Sequence, residues 1–255
     1  MLLCSASIPQ PWPGRPNFAT LLGVIPLIDT ARTRSFPLVN WLLIAANVGI
    51  FIFFELGLSD RQLNRLINTY GLVPAALAGG GPHAWLTVYT SMFLHSGWLH
   101  LLGNMWALFI FGDNVEDRMG SLRYLLFYLV AGTVAGLTQS FVSAGSHVPL
   151  IGASGAIAGV LAAYLVLYPG ARVLTLILFL ILPFFLEIPA LFFIIIWFAT
   201  QFFDGVVSLR GAAAQGGVAY WAHVGGFITG LLVVWLFVRR SPPKYAWPQD
   251  RYRTS

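Results

Sequence analysis

Charge is what this sequence has least of: Asp, Glu, Lys and Arg together make up 9% of its 255 residues. A soluble globular protein carries roughly 25% charged residues, so this chain cannot cover a water-facing surface. It has a single cysteine, Cys4, which excludes an internal disulfide framework and any metal site built from clustered thiolates. Acidic side chains are the scarcer sign, nine against 14 basic ones, for a net charge of +5. The basic residues sit at the ends of apolar runs, the placement produced by the positive-inside rule, and not among water-facing aromatics. Nucleic acid is therefore rejected as a partner. What the chain has is apolar: 58% hydrophobic residues and a mean hydropathy of +0.78. Its length holds several membrane spans of about 20 residues each. These features read as one compact, all-α, polytopic membrane domain whose surroundings are the lipid bilayer.

Residues 1–36 are rich in proline and lack a basic segment ahead of an apolar core. They read as an N-terminal cytosolic arm and not as a cleaved signal peptide. Residues 37–240 form the membrane domain, and residues 241–255 a C-terminal cytosolic tail. Apolar runs lie at 38–58, 98–112, 124–142, 148–168, 173–186, 189–207 and 217–238. The run at 173–186 is only 14 residues long, contains Pro183 and is followed by Glu187 and Pro189. So short a run suits an interfacial, re-entrant or protein-packed segment better than a span.

Charge counting separates six spans from seven. With six spans and the N-terminus inside, Arg15, Arg32, Arg34, Arg118, Arg123, Arg172, Arg239, Arg240, Lys244, Arg251 and Arg253 lie inside. Only Arg61, Arg65 and Arg210 lie outside, a split of 11 to 3, whereas a seventh span gives 7 to 7. Lys/Arg bias sets orientation, which selects six. The second, fourth and sixth spans then all start at the outer face. The long outer loop at 59–85 carries Leu63, Leu66 and Ile67 at helical spacing. It reads as an amphipathic interfacial element, with Pro74 and Gly79-Gly80-Gly81 as turns.

Two short motifs carry chemistry. Gly152-Ala153-Ser154-Gly155 opens the fourth span, and Ala222-His223-Val224-Gly225-Gly226 opens the sixth. Reactive polar residues are costly at membrane depth and mark functional sites by default. A serine hydroxyl is a weak nucleophile that needs an adjacent base, and His223 is the histidine expected at the depth of Ser154. Gly155 and Gly159 follow the serine and Gly226 and Gly230 the histidine, each pair four apart. Small residues at that spacing let membrane helices pack backbone to backbone. Taken singly, each motif reads as ordinary helix packing, with the serine as a helix cap; together, at matched depth, they read as a nucleophile and its base. Ala156 and the absence of a preceding strand exclude the G-x-S-x-G elbow of soluble hydrolases.

Acyl transfer also needs donors for the developing oxyanion. His100 and Asn104, four apart at the start of the second span, share a helix face. With the Ser154 N–H they are the candidates, and the competing reading is a polar pair that fixes helix contacts. His95, His100 and His223 could ligate zinc, but no H-E-x-x-H and no nearby carboxylate base accompanies them. No metal and no cofactor is expected. Asp204, at the outer end of the fifth span, is a candidate to orient His223; a Ser–His dyad is the simpler reading.

These residues resemble the rhomboid intramembrane serine protease family. The resemblance runs from Ile25-Pro26-Leu27 to about Val238. It includes the 70–74 segment (Tyr-Gly-Leu-Val-Pro), the His95…His100…Asn104 segment, the 111–120 segment from Phe111 to Gly120, and the Ser154 and His223 motifs. It implies a six-helix core with a cytosolic N-terminus, Ser154 as nucleophile, His223 as general base, and His100 and Asn104 at the oxyanion. It further implies membrane-protein substrates, cut in or near transmembrane segments that unwind easily. Two positions depart from relatives. Trp85 is followed by Leu86 where some relatives have a Trp-Arg pair. Ala158 stands where some carry an aromatic beneath the histidine, so base orientation must come from elsewhere. Two rival readings are a non-catalytic relative that binds transmembrane clients, which loss of Ser or His would mark, and a transporter, which internal repeats would mark. Both dyad residues are present, and no repeat is seen.

Overall fold

The computed structural model describes residues 24–179, 182–209 and 218–239. The tail at 241–255, most of the N-terminal arm, and Cys4, Arg15, Arg210, Arg240, Lys244, Arg251 and Arg253 lie outside the described residues. The chain enters as strand β1 (Val24–Asp29). Helix α1 (Leu38–Glu55) follows and ends in a π-helical turn. Three shorter helices make the next connection: α2 (Asp60–Tyr70), α3 (Pro74–Gly79) and α4 (Pro82–Thr90). Helix α5 (Trp98–Ala107) passes through a π turn (Leu108–Gly112) into α6 (Asp113–Met119). Helices α7 (Ser121–Val142) and α8 (Ser154–Leu167) follow. A hairpin of β2 (Arg172–Phe179) and β3 (Leu182–Pro189) precedes α9 (Ala190–Val207) and α10 (Tyr220–Phe237).

Among the described residues α1, α7, α9 and α10 are each long and apolar enough to cross a membrane, and α8 is apolar but only 14 residues long. The chain is an integral membrane protein, built as a polytopic helical bundle. Its centre is α8, whose residues from Gly155 to Tyr164 are all buried. Large outward-facing side chains such as Phe53, Leu99, Phe141 and Leu236 give the bundle an apolar exterior, as lipid contact requires.

Helix α8 can be central because one side of it is nearly bare. A Cβ on Gly226 or Gly230 of α10 would overlap the backbone oxygen of Gly155 or Gly159, respectively. On its other side, a Cβ on Gly155 would come within 2.7 Å of Ala135 Cβ, and one on Gly159 within 2.5 Å of Ala131 Cβ, both on α7. The two glycine pairs read as packing motifs in the sequence thus form one backbone-to-backbone seam.

At the end of the bundle away from Ser154, acidic side chains serve backbone groups. Glu116 accepts hydrogen bonds from the backbone N–H of Val39 (3.1 Å) and Asn40 (2.7 Å), capping α1, and from the Ser121 hydroxyl (2.6 Å). Asp117 accepts from the Ser35 N–H (2.8 Å) and hydroxyl (2.6 Å). Arg118, Arg123, Arg172 and Arg239 lie at the same end, at the close of α6, the start of α7, and just beyond α8 and α10.

The run at 173–186, left open between interfacial, re-entrant and protein-packed, is a β-hairpin. β1 adds to it as the third strand of an antiparallel sheet in the order β1-β2-β3. The sheet is an addition to an otherwise helical expectation. The β-branched and Leu-rich composition of β2 favours it, and Pro26 and Pro183 are tolerated because both lie in edge strands. Arg172 pairs with Pro189, so the hairpin returns the chain to the end where it left α8. One face of β2 is tucked into the protein, with Val173 and Thr175 fully buried. β1 is pinned to the bundle by Trp106 Nε1 donating to the Pro26 carbonyl (2.6 Å), and by Asn114 and the Tyr164 hydroxyl donating to Asp29. Val24–Asp29, read as part of an irregular arm, is therefore ordered sheet.

In the loop at 59–85 the stripe of Leu63, Leu66 and Ile67 does form a helix, α2, with none of its residues buried. Pro74, read as a turn, instead occupies the first turn of α3, where its missing N–H costs nothing. Gly80 (φ +74°) and Gly81 (φ +105°) make the turn that follows.

The seam yields a stability prediction. Gly226→Ala, which drives a methyl into a backbone oxygen, is expected to cost about 3 kcal/mol or more, the upper end for overpacking. Gly49→Ala, within α1 and with nothing within 4 Å of the added Cβ, is expected to leave the thermal unfolding temperature in detergent unlowered, with a small rise from helix propensity.

Candidate active site

Ser154 is the first residue of α8, and His223 lies in the first turn of α10. The two helices run in the same direction and touch along the glycine seam, so their starts are level. His223 Nε2 lies 2.7 Å from Ser154 Oγ. His223 is buried at 6% exposure, and Ser154 is half-buried.

The histidine is held from three further sides. Gln139, near the end of α7, accepts the backbone N–H groups of Trp221 (3.0 Å) and Ala222 (3.2 Å) through Oε1; it satisfies the Trp221 donor that the first turn of α10 leaves open and shares the Ala222 N–H with the Ala219 carbonyl (3.0 Å). Trp221 Nε1 donates to the Gly205 carbonyl of α9 (3.2 Å). Also from α9, Gln201 Oε1 lies 2.6 Å from His223 Nδ1, and the Trp197 ring packs beside the imidazole at a 41° tilt with centroids 5.6 Å apart.

His100 and Asn104 come from α5 and share the face expected of them. The His100 ring packs on Gly152: a Cβ there would lie 2.6 Å from His100 Nε2 and 3.7 Å from Asn104 Nδ2. Gly152 has φ +117°, a left-handed value that glycine adopts without strain, and its bare Cα admits the ring. Ser96 holds the far side of that ring, its hydroxyl 3.2 Å from Nδ1. Asn104 is buried, and its Nδ2 has no hydrogen-bond partner. Ser154, His223, His100, Asn104 and Gln201 all line one cavity of about 400 Å³ between α5 and α9, which reaches down to Pro26 of β1.

The remaining sequence candidates fall outside this arrangement or at its rim. His95 is fully buried, with its ring 5.0 Å from that of His100 and both ring nitrogens unpaired; its backbone N–H donates to Glu55 (2.9 Å). It does not join His100 and His223 in a ligand set: among the described residues, no group of three or more His, Cys, Asp or Glu side chains is placed to hold a metal ion. Asp204 lines the cavity, but the partner of His223 Nδ1 is Gln201, one turn earlier on α9. Sequence reasoning passed over Gln201 and Gln139. The available signal was a carboxamide inside an apolar helix, on the face already suspected from Asp204.

A polytopic helical bundle with a serine–histidine hydrogen bond at matched helix starts is the class of protein these features define. Residues 82–240, more than half of the chain, match the Rhomboid domain family, and the chain belongs to that family. Among curated relatives it is 37% identical over 129 residues to the rhomboid protease GluP of Bacillus subtilis, covering 51% of this chain and 24% of that protein. It is 32% identical over 133 residues to the putative rhomboid protease YdcA of the same organism, covering 52% and 63%. It is 30% identical over 132 residues to the human mitochondrial presenilin-associated rhomboid-like protein, covering 51% and 33%. The matched segments thus span between a quarter and under two thirds of these relatives' lengths.

The α10 anchor can be tested without an activity assay. Gln139→Leu leaves the Trp221 N–H without its acceptor, while the Ala222 N–H keeps the Ala219 carbonyl, and is expected to lower stability by about 1–2 kcal/mol. The measurement is thermal unfolding in detergent, with Gln139→Glu retaining most of the lost stability.

Proposed function

We propose that this protein is an intramembrane serine endopeptidase that hydrolyses peptide bonds in or near the transmembrane segments of other membrane proteins. The observation that carries this reading is the 2.7 Å approach of His223 Nε2 to Ser154 Oγ inside an apolar bundle. In this reading Ser154 Oγ attacks the scissile carbonyl carbon while His223 Nε2 takes its proton. The carbonyl oxygen becomes an oxyanion, which the Asn104 Nδ2, a His100 ring N–H and the Ser154 backbone N–H stabilise. The intermediate collapses when His223 returns the proton to the leaving amine, leaving an acyl-serine. A water activated by the same imidazole then hydrolyses the acyl-serine, releasing the carboxylate product and restoring the Ser154 hydroxyl.

The cavity between α5 and α9 supports a substrate that arrives from the membrane. A helical segment shields its own carbonyls, so a segment with small or helix-destabilising residues presents the scissile bond at lowest cost. The charge split of 11 to 3 supports six spans with both termini cytosolic, in a bacterial-type cytoplasmic membrane. The site then lies just below the outer face, where water can reach it.

The test is cleavage of a model transmembrane substrate in liposomes. Wild-type protein is expected to cut it, while Ser154→Ala and His223→Ala abolish cleavage. Asn104→Ala is expected to lower kcat by about 10²–10³-fold, the usual loss for one oxyanion donor. Cleavage that survives Ser154→Ala overturns the reading. Binding without cleavage by the wild type turns it toward a client-binding relative.

A further inference from the structure

With Ala158 where some relatives place an aromatic, Asp204 is the one orienting candidate that the sequence offered for His223, and it is not the partner of Nδ1. A general base must hold one tautomer: Nδ1 protonated and the Nε2 lone pair facing the serine hydroxyl. The hydrogen bonds on α9 supply the direction. The Thr200 hydroxyl donates to the Trp197 carbonyl one turn back (2.7 Å). Its proton is thereby committed, so the Thr200 oxygen is an acceptor for the Gln201 side chain. Gln201 Nε2 donates to that oxygen (3.2 Å), which fixes which way round the carboxamide sits. Gln201 Oε1 is then the atom facing His223 Nδ1, at 2.6 Å. A carbonyl oxygen can only accept, so the hydrogen on the imidazole must lie on Nδ1. Nε2 is left as the acceptor for the Ser154 hydroxyl at 2.7 Å. In this arrangement each donor has one acceptor.

We infer that Gln201 is the positioning residue of the site, a neutral third member that sets the tautomer and ring orientation of His223 where a carboxylate does so in other serine hydrolases. The inference rests on the Ser154–His223 reading proposed above. Trp197, on the same helix as Gln201, packs its ring beside the imidazole at a 41° tilt and adds a wall to one side of it. Asp204, which also lines the cavity, is not needed for this task. A neutral acceptor stabilises the imidazolium formed during acyl transfer less than an anion does. The loss on removing it should accordingly fall short of the ~10⁴-fold seen when a triad carboxylate is neutralised.

The experiment measures covalent labelling of the full-length protein in detergent by a fluorophosphonate, a small probe that reports Ser154 nucleophilicity without a transmembrane substrate. Gln201→Met keeps the volume of the side chain and removes the acceptor. It is expected to slow the covalent step about 10- to 100-fold, below the ~10²–10⁴-fold of full general-base assistance because His223 itself remains, with the probe's half-saturating concentration and the melting temperature little changed. Gln201→Glu restores an acceptor to Nδ1 and is expected to recover labelling to within about threefold of wild type. Gln201→Leu is measured alongside, so that a folding failure in one variant leaves the comparison intact. Labelling of folded Gln201→Met or Gln201→Leu at the wild-type rate overturns this inference and leaves the dyad standing. Absence of wild-type labelling, or labelling that survives Ser154→Ala, overturns the dyad reading itself and this inference with it.

Discussion

The contact on which the rest of the structure depends is the seam between α8 and α10, where backbone meets backbone because no side chain intervenes. Gly226 and Gly230 lie against the carbonyl oxygens of Gly155 and Gly159. In a membrane no hydrophobic driving force pulls two apolar helices together, so close packing and weak polar contacts must do so. A seam this tight also leaves no freedom in register. Because the helices run in the same direction and start level, the residues just ahead of the first glycine on each are brought to hydrogen-bonding distance. The position of the Ser154–His223 pair is thus a consequence of helix packing, and any side chain larger than hydrogen in the seam would separate it.

The polar residues of the bundle divide by the kind of partner they have. At one end, Glu116 and Asp117 accept from backbone N–H groups of the segment entering α1, work that any helix terminus demands. Gln139 does the same for α10. At the other end, Ser154, His223, Gln201 and Thr200 are paired with one another and His100 with Ser96, while Asn104 Nδ2 and both His95 ring nitrogens have no partner among the described residues. The segment from Phe111 to Gly120, which carries part of the family resemblance, therefore serves the scaffold, whereas the Ser154 and His223 segments form the candidate site.

Much of this was legible in the chain. Low charge and long apolar runs imply a helical membrane protein, because only helices or closed barrels satisfy backbone polar groups in lipid. The glycine spacing indicated which helices would touch. The β-hairpin was legible only as an anomaly. A run of 14 residues with an internal proline is too short for a span, but length does not say whether such a run becomes sheet, re-entrant helix or surface segment. That depends on β1 as a pairing partner, whose end is joined to the start of β2 by the Arg172 N–H donating to Thr30, 142 residues earlier, in a stretch with little periodicity of its own.

By itself, then, the sequence determined the class of protein, the serine and histidine, and the helix faces that must approach one another, since all of these follow from composition and from periodicity within single helices. The orientation of the imidazole was decided by tertiary structure alone. Gln201 and Asp204 lie three residues apart on one helix, and periodicity puts both toward the same side. Which of them reaches Nδ1 depends on the height of α9 relative to α10 and on the Thr200 hydroxyl that turns the carboxamide. Those are distances of a few ångströms between separate elements, and no pattern local to either helix encodes them.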